Sequence, residues 1–519
     1  MLRRVTLALA SALALTPFLH AAESPAARAE HVVLVVWDGM RPDFIAAEYT
    51  PTLHALAKSG TFFNNNHSVY ITSTEVNGAA IATGCYPTRT GILANREYRP
   101  AVDPLKAFGT ESAKAMQVTD AARGGKYIGV KTIAELVQAA GGRTTIAGTK
   151  PVALLHDRLP EKLHGSAILF AGKSYPEKVA KDIAAPLGPL PDFPPIGTVA
   201  PNTDQNAWTT RALTEELWKD GVPKFSTLWL GDPDFTQHLT QPGSPTALAA
   251  IRNSDTNLAT VLAALEAKGV RGKTDIFVVS DHAFSTVNRT VDLLALFKAA
   301  GFTLVREYKT APQPGQVLLI SLGGSCQLYV PSHDAALIQR LVTFLQAGDF
   351  AGPIFTRTAL PGTFTLHEAR MDSPDSADIV FSFRWSDARN KWGTPGSFVA
   401  EGRKPGYGTH ASLSRFDVRN TLVAAGPDIR AGFVDELPTG NVDVAPTILH
   451  LLGITPTEAR DGRVLTEALA AVDWDAPKPV TKVVTAESKV GSKTRRQYLK
   501  ITTLGESSYL DEGNAATEP

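Results

Sequence analysis

Aspartates and histidines stand just past the ends of several apolar runs in this chain, and those residue types in those places are the ingredients of a divalent-metal site. Asp38 closes the run Val-Val-Trp-Asp-Gly-Met; a carboxylate there, followed by glycine, can point into a crevice and meet a hard cation. Asp234 and His238 stand four apart in Asp-Pro-Asp-Phe-Thr-Gln-His, a spacing that sets both on one face of a helical turn and lets them share one ion. Asp281-His282 ends Ile-Phe-Val-Val-Ser-Asp-His; adjacent side chains point apart, so this pair suits two neighbouring ions. His410 lies in Gly-Tyr-Gly-Thr-His-Ala-Ser, where glycine permits close backbone approach. Taken singly, Asp38 is a turn aspartate and the Asp234–His238 spacing is common by chance. Asp, His and Thr donors without cysteine suit zinc or another borderline divalent ion.

Thr74 lies in Tyr-Ile-Thr-Ser-Thr-Glu-Val-Asn-Gly, ahead of the helix-like run Ala79–Thr83. A hydroxyl at a helix start has free backbone amides beside it, and these bind anions. Read locally, Thr74 is a helix cap, with Glu75 favourable in the first turn. Beside a metal, however, its hydroxyl pKa falls and it becomes a nucleophile. The metal-type residues elsewhere in the chain tip the reading toward the second role.

These residues can act together only if the fold brings them to one edge, and the pattern of the chain predicts that it does. Continuous apolar runs at His31–Trp37, Arg143–Ala147, Phe225–Leu230 and Asp275–Ser280 read as buried parallel strands. Between them the spacing predicts helices over Pro51–Lys58, Lys131–Ala140, Asn206–Asp220 and Thr246–Lys268. Strands alternating with helices indicate an α/β fold, a central and mostly parallel sheet sandwiched by helices. In such sheets ligands bind beyond the carboxyl ends of the strands, where Asp38, Asp234 and Asp281 fall. The pattern changes over residues 285–405, with strands at Gln316–Leu322, Gln327–Val330 and Ala377–Trp385 and a helix at Asp334–Gly348; this reads as an inserted α+β subdomain. The core pattern of residues 30–284 resumes over 406–475, with a strand at Asn420–Ala425 and a helix at Val444–Gly453. Residues 476–519 form a C-terminal extension with one strand-like stretch, Tyr498–Thr502, and an end, Glu512–Pro519, expected to be disordered.

The chain of 519 residues carries 51 basic and 51 acidic side chains, so it has no basic excess and a nucleic-acid polymer is not the expected partner. Arg3 and Arg4 precede an apolar run from Val5 to Leu19, followed by Ala21 and Ala22. That layout predicts a secretory signal peptide over residues 1–22, hence a periplasmic or secreted protein with no stable membrane span after cleavage. Two cysteines, Cys85 and Cys326, sit far apart in apolar stretches; one bridge or two separate buried thiols are both open.

Taken in order, these segments resemble the alkaline phosphatase superfamily, and most of all its type I phosphodiesterase/nucleotide pyrophosphatase branch. The resemblance rests on residues 35–40, Thr-Pro-Thr-Leu-His-Ala-Leu-Ala at 50–57, Thr74 through the run 83–92, and 233–238. It continues through 278–282, 408–410 and Val-Asp-Val-Ala-Pro-Thr-Ile-Leu-His-Leu-Leu-Gly at 442–453. It implies two divalent ions, zinc by donor type. One would be held by Asp234, His238 and His410, the other by Asp38, Asp281, His282 and the Thr74 oxygen. It further implies that Thr74 attacks phosphorus, giving a phospho-threonine that water hydrolyses, and that Asn95 donates a hydrogen bond to a phosphoryl oxygen. The substrate would be a small phosphorylated molecule, a nucleotide or another phosphodiester.

The chain departs from the family at Gly78 and Ala79, where an aromatic residue and a histidine are usual, and at Ala283 and Ala411, which follow the histidines. Threonine-nucleophile monoesterases of the superfamily add a Lys-x-Arg pair to meet the second charge of a monoester; here the corresponding place reads Lys150-Pro151-Val152. That favours diesters. A phosphomonoesterase or a phosphonate hydrolase is the alternative within the superfamily. A non-catalytic binding relic built on the same fold is the alternative of a different class, disfavoured because every ligand position and the nucleophile are filled.

Overall fold

The computed structural model describes residues 28–518 apart from 196, 471 and 476. The expected export signal, residues 1–22, lies outside the described residues. Among the described residues no helix is long and apolar enough to cross a membrane.

The strand His31–Trp37 shows why the core forms. Val32 to Trp37 are all fully buried, and successive side chains of a strand face opposite ways. Val32, Leu34 and Val36 enter one apolar layer, with Ile81 of the helix Thr74–Thr83 and Ile448 of the helix Asn441–Leu451. Val33, Val35 and Trp37 enter the other, with Leu53 of the helix Pro51–Ser59 and Leu258 of the helix Pro245–Ala267. Each such aliphatic side chain contributes roughly 1.5–3 kcal/mol on burial, so both faces of this strand demand helical cover.

The sheet that results has nine strands. It runs Phe433–Asp435, Thr61–Phe63, Leu422–Ala425, Thr274–Val279, His31–Trp37, Phe225–Leu230, Thr144–Gly148, Ala167–Phe170, Lys173–Tyr175. The five from Thr274–Val279 to Ala167–Phe170 are parallel to one another, and antiparallel pairs flank them. The expected α/β sandwich is therefore present, and the helices sit close to their expected places. Pro245 occupies the first turn of the long helix behind the cap Ser244, whose side chain accepts from Ala247 N.

Residues 285–409 supply every strand of a four-stranded and a six-stranded sheet. The C-terminal stretch corrects the sequence reading. It forms three long antiparallel strands, Val480–Val490, Lys493–Leu504 and Ser507–Glu518, so Glu512–Glu518 is strand rather than disordered chain. Its exposed face mixes Thr481, Thr485, Glu487 and Lys489 with Val480 and Val483, so no clean alternation marks the strand. Its inner face is anchored by Arg495, fully buried and bonded to Ala351 O and Gly352 O, and by Gln497, bonded to Ile354 O.

Candidate active site

The three expected aspartates meet at the carboxyl edge of the parallel sheet. Asp38 follows the strand His31–Trp37, Asp281 follows Thr274–Val279, and Asp234 opens the short helix Asp234–Leu239 after Phe225–Leu230. Backbone bonds tie their loops together: Asp38 N donates to Leu230 O at 3.3 Å and Asp234 N to Asp38 O at 2.9 Å. Gly39 N and His282 N both donate to Asp281 Oδ1 at 3.0 Å. Gly39 takes φ +74°, and a Cβ there would stand 3.0 Å from Asp234 Cβ, so the turn after Asp38 requires glycine.

Three imidazoles complete the cluster, and each is held the same way. His282 Nδ1 lies 3.0 Å from Ala283 O, His410 Nδ1 2.9 Å from Thr72 O, and His238 Nδ1 3.3 Å from Gly408 O. A carbonyl only accepts, so each Nδ1 carries the proton and each Nε2 presents a lone pair. Those lone pairs face carboxylate oxygens. His238 Nε2 is 3.3 Å and His410 Nε2 3.5 Å from Asp234 Oδ1; His282 Nε2 is 3.3 Å from Asp281 Oδ2 and 3.7 Å from Asp38 Oδ1. The rings of His282 and His410 stack at 3.7 Å. Burial holds all three imidazoles below their ordinary pKa, most strongly His410, which also faces His282.

Acceptor therefore faces acceptor across the cluster, an arrangement that a cation makes favourable. Asp38 Oδ1, Asp234 Oδ1 and Asp281 Oδ2 are buried without a hydrogen-bond partner. Burial, and then the Asp281 charge, pushes Asp38 well above the usual carboxylate range; burial pushes Asp281 up to about 7. Donor atoms of Asp234, His238 and His410 lie within 4.8 Å of one another, as do those of Asp38, Asp234 and His282. The chemistry and spacing of these donors fit divalent ions. The first set matches the expected ligands. The second contains Asp234 where Asp281 was expected, so Asp234 stands between the two sets.

Thr74 begins the helix Thr74–Thr83 and lies 3.3 Å from His282 Nε2 through its Oγ. The cap Ser73 makes no capping bond and its hydroxyl has no partner, which leaves the first-turn amides of Thr74 and Val76 free for an anion. Asn95 borders the same space; its Oδ1 accepts from Glu75 N at 3.3 Å, leaving the side-chain NH2 to donate elsewhere.

The structure adds Lys150 to the cluster, and with it Trp229, which sequence reasoning missed. Lys150 Nζ bridges Asp38 Oδ2 at 2.8 Å and Asp234 Oδ2 at 3.1 Å. Burial opposes its charge, yet Asp234 and Asp38 hold its pKa well above the usual value; burial likewise opposes ionisation of Asp234, which Lys150 and His238 overcome. Trp229 Nε1 donates to Asp38 Oδ2 at 3.0 Å. The available signal was its burial in the strand, since a buried indole N–H needs an acceptor. Val152 is fully buried and faces Gly78, where a Cβ would come within 3.0 Å of its Cγ2 and 3.3 Å of Trp229. Val152 is thus a core residue rather than part of the site. Ala411 takes φ +78°, a left-handed conformation that costs a non-glycine residue of order 1 kcal/mol or more. Cys85 and Cys326 are both buried and unbridged.

Fold and site together define a protein of the alkaline-phosphatase-like α/β class. The sequence profile of the type I phosphodiesterase / nucleotide pyrophosphatase family matches residues 32–407, and the chain belongs to that family of phosphoester hydrolases. Among its relatives is a venom phosphodiesterase of Crotalus durissus collilineatus, 23% identical over 264 residues, which are 50% of this chain and 26% of that protein. Ectonucleotide pyrophosphatase/phosphodiesterase family member 7 of Homo sapiens is 25% identical over 245 residues, 46% of this chain and 47% of that one. The chain thus spans half or less of the length of these two. A bis(5'-adenosyl)-triphosphatase of Mus musculus is 20% identical over 471 residues, covering 88% of this chain and 86% of its own. Murine ectonucleotide pyrophosphatase / phosphodiesterase 5 has a similar fold, with a TM-score of 0.59 at 18% identity over 85% of this chain and 100% of that one.

Proposed function

We propose that the protein is an exported, two-metal phosphodiesterase of the nucleotide pyrophosphatase type that works through a phospho-threonine at Thr74. The observation that carries this reading is the convergence of Thr74 Oγ, three carboxylates with unpartnered oxygens and three imidazoles presenting Nε2 lone pairs at one sheet edge. In this reading Asp234, His238 and His410 hold one ion, zinc by donor type. Asp38, Asp281, His282 and the Thr74 oxygen hold the other, with Asp234 close to both. Bound there, the ions would supply Lewis-acid charge that lowers the Thr74 hydroxyl pKa and neutralises the phosphoryl oxygens.

The chain's own groups do the rest. The Thr74 and Val76 amides at the start of the helix Thr74–Thr83 and the Asn95 side-chain NH2 orient the non-bridging oxygens. Thr74 Oγ forms its bond to phosphorus as the bond to the leaving oxygen breaks, and that oxygen takes up a proton. Water then cleaves the Thr74–phosphorus bond and the threonine hydroxyl is restored. Val152, sunk in the core, leaves Lys150 without a companion arginine, which supports a singly charged diester over a monoester. A relative named bis(5'-adenosyl)-triphosphatase and a related fold solved with AMP bound are consistent with a nucleotide-like substrate. Export to the periplasm or medium is part of the proposal and rests on residues 1–22.

The test is hydrolysis of a nitrophenyl phosphodiester against the matching monoester by the zinc-loaded protein, with Thr74→Ala as control. Diester turnover that falls at least a thousandfold in the variant, with zinc content retained, is expected. Monoester preference would move the function to a phosphatase, and a protein that retains no metal would refute the mechanism.

A further inference from the structure

We infer that the mouth of the site recognises a second anionic group, a phosphate or a carboxylate, carried by the substrate at a distance from the reacting phosphorus. This rests on the phosphodiesterase reading above. A cavity of about 500 Å³ opens onto the cluster, with Asn95, His238 and His410 at its inner end. Its outer lining carries three guanidiniums, Arg96, Arg306 and Arg403, against one carboxylate, Glu401. The chain as a whole has no net charge, so this local excess of two positive charges is a property of the mouth.

Each arginine arrives on a different segment. Arg96 directly follows Asn95. Arg306 follows the strand Thr303–Val305, and Arg403 follows the strand Pro395–Glu401. Arg306 is pinned by an ion pair to the buried Glu401. Arg96 is steadied by a bond to Ala107 O at 3.3 Å. Arg96 and Arg403 have no carboxylate partner among the described residues, so the Arg403 fork and the remaining N–H groups of Arg96 can meet a ligand.

A planar guanidinium matches phosphate and carboxylate in bidentate fashion, and a cleft lined by one sign of charge concentrates ligands of the other. The lining offers nothing else of comparable strength. Among the described residues it contains no phenylalanine, tyrosine or tryptophan, and Leu322 is its single aliphatic side chain. Stacking on a nucleobase is therefore not how this mouth selects; charge is.

The experiment titrates zinc-loaded Thr74→Ala protein by calorimetry with propylphosphonate, 3-phosphonopropanoate and 1,3-propanediyl bisphosphonate. The two doubly anionic ligands are expected to bind at least tenfold more tightly than propylphosphonate. That advantage is expected to fall threefold or more in each of Arg96→Gln, Arg306→Gln and Arg403→Gln. Whichever of the carboxylate and phosphonate ligands gains more identifies the group recognised. Equal affinity for all three ligands, or an advantage untouched by all three substitutions, overturns the inference. Turnover of methyl 4-nitrophenyl phosphate by the unsubstituted protein separates the two readings. Turnover without the binding preference fails the mouth alone; the binding preference without turnover fails the phosphodiesterase reading and leaves the mouth standing.

Discussion

Lys150→Met removes a positive charge that lies 2.8 Å from Asp38 Oδ2 and 3.1 Å from Asp234 Oδ2. At an effective dielectric constant near 20, each contact carries about 5 to 6 kcal/mol of gross attraction. Desolvation cancels most of this, and the lysine side chain is 22% exposed. A net stabilisation of about 2 to 3 kcal/mol is left for the metal-free site. A divalent ion drawn to the same two carboxylates competes with the ammonium group. The metal-free variant should therefore lose that stabilisation while the loaded variant loses little. By closure of the cycle, zinc should bind the variant more tightly by the difference. At 1.4 kcal/mol per factor of ten, the gain is roughly 30- to 150-fold. Competition against a chromogenic zinc chelator measures it, and denaturant midpoints of the chelator-treated proteins check the other side of the cycle. Zinc affinity that stays the same or weakens would refute the reasoning, because it would mean that the lysine and the cation do not contend for the same oxygens.

Gly78→Ala places a Cβ 3.0 Å from Val152 Cγ2; overpacking of about 1–3 kcal/mol exceeds the helix-propensity gain of roughly 1 kcal/mol. The urea midpoint should fall, and Val152→Ala in the same chain should restore it. Burial pushes the Asp275 carboxyl up to about 7. A raised carboxylate pKa means that the neutral form is the one the fold favours, so its stabilisation is complete below the unfolded pKa and lost as pH rises through about 7. Asp275→Asn should accordingly gain stability relative to the parent as pH rises from about 4 to about 7, level off above that, and show no growing gain below pH 4, read as denaturant midpoints from about pH 3 to 9. Tyr509 donates to Asp443 Oδ2 at 2.8 Å and accepts from Arg463 Nε at 3.1 Å. Tyr509→Phe should cost about 1.5–3 kcal/mol, as loss of a bond to a charged group does. A loss well under 0.5 kcal/mol in chemical denaturation would show that this contact does not anchor the C-terminal sheet.

The core was legible because its strands are buried on both faces, and a strand such as His31–Trp37 then reads as an unbroken apolar run ending in a polar residue. The same rule predicts Asp38, Asp234 and Asp281 at one edge of the sheet. The tail was not legible for the opposite reason. In Lys493–Leu504 the residues that pack inward include Arg495 and Gln497, whose burial depends on carbonyls of the distant segment 351–354. No periodicity of hydrophobic residues announces such a strand. Lys150 was ambiguous because nothing in Lys-Pro-Val says whether a loop lysine meets water or two carboxylates 112 and 84 residues away.

That difference marks what kind of object the site is. Two of the three imidazoles take their orientation from the backbone of a segment that carries other site residues: His410 from Thr72, two residues before Thr74, and His238 from Gly408, two residues before His410. Asp281 is oriented by Gly39 N, next to Asp38, and Asp234 N bonds to Asp38 O. The loops hold one another, so His238, His410 and Asp281 are each fixed by a partner that the sequence separates from them by more than a hundred residues, and only His282 is held by its own neighbour, Ala283. Such backbone anchors fix the tautomer and direction of a ligand, and they are invisible to residue type because any residue supplies a carbonyl. The sequence can therefore name the donors while only the closed fold says where each lone pair points. It follows that substitutions altering the backbone at Thr72 or Gly408 should disturb the cluster as surely as replacing a histidine. A Cβ at Gly408, which would come 2.5 Å from Gln237 O, should lower zinc affinity with all seven donor residues intact.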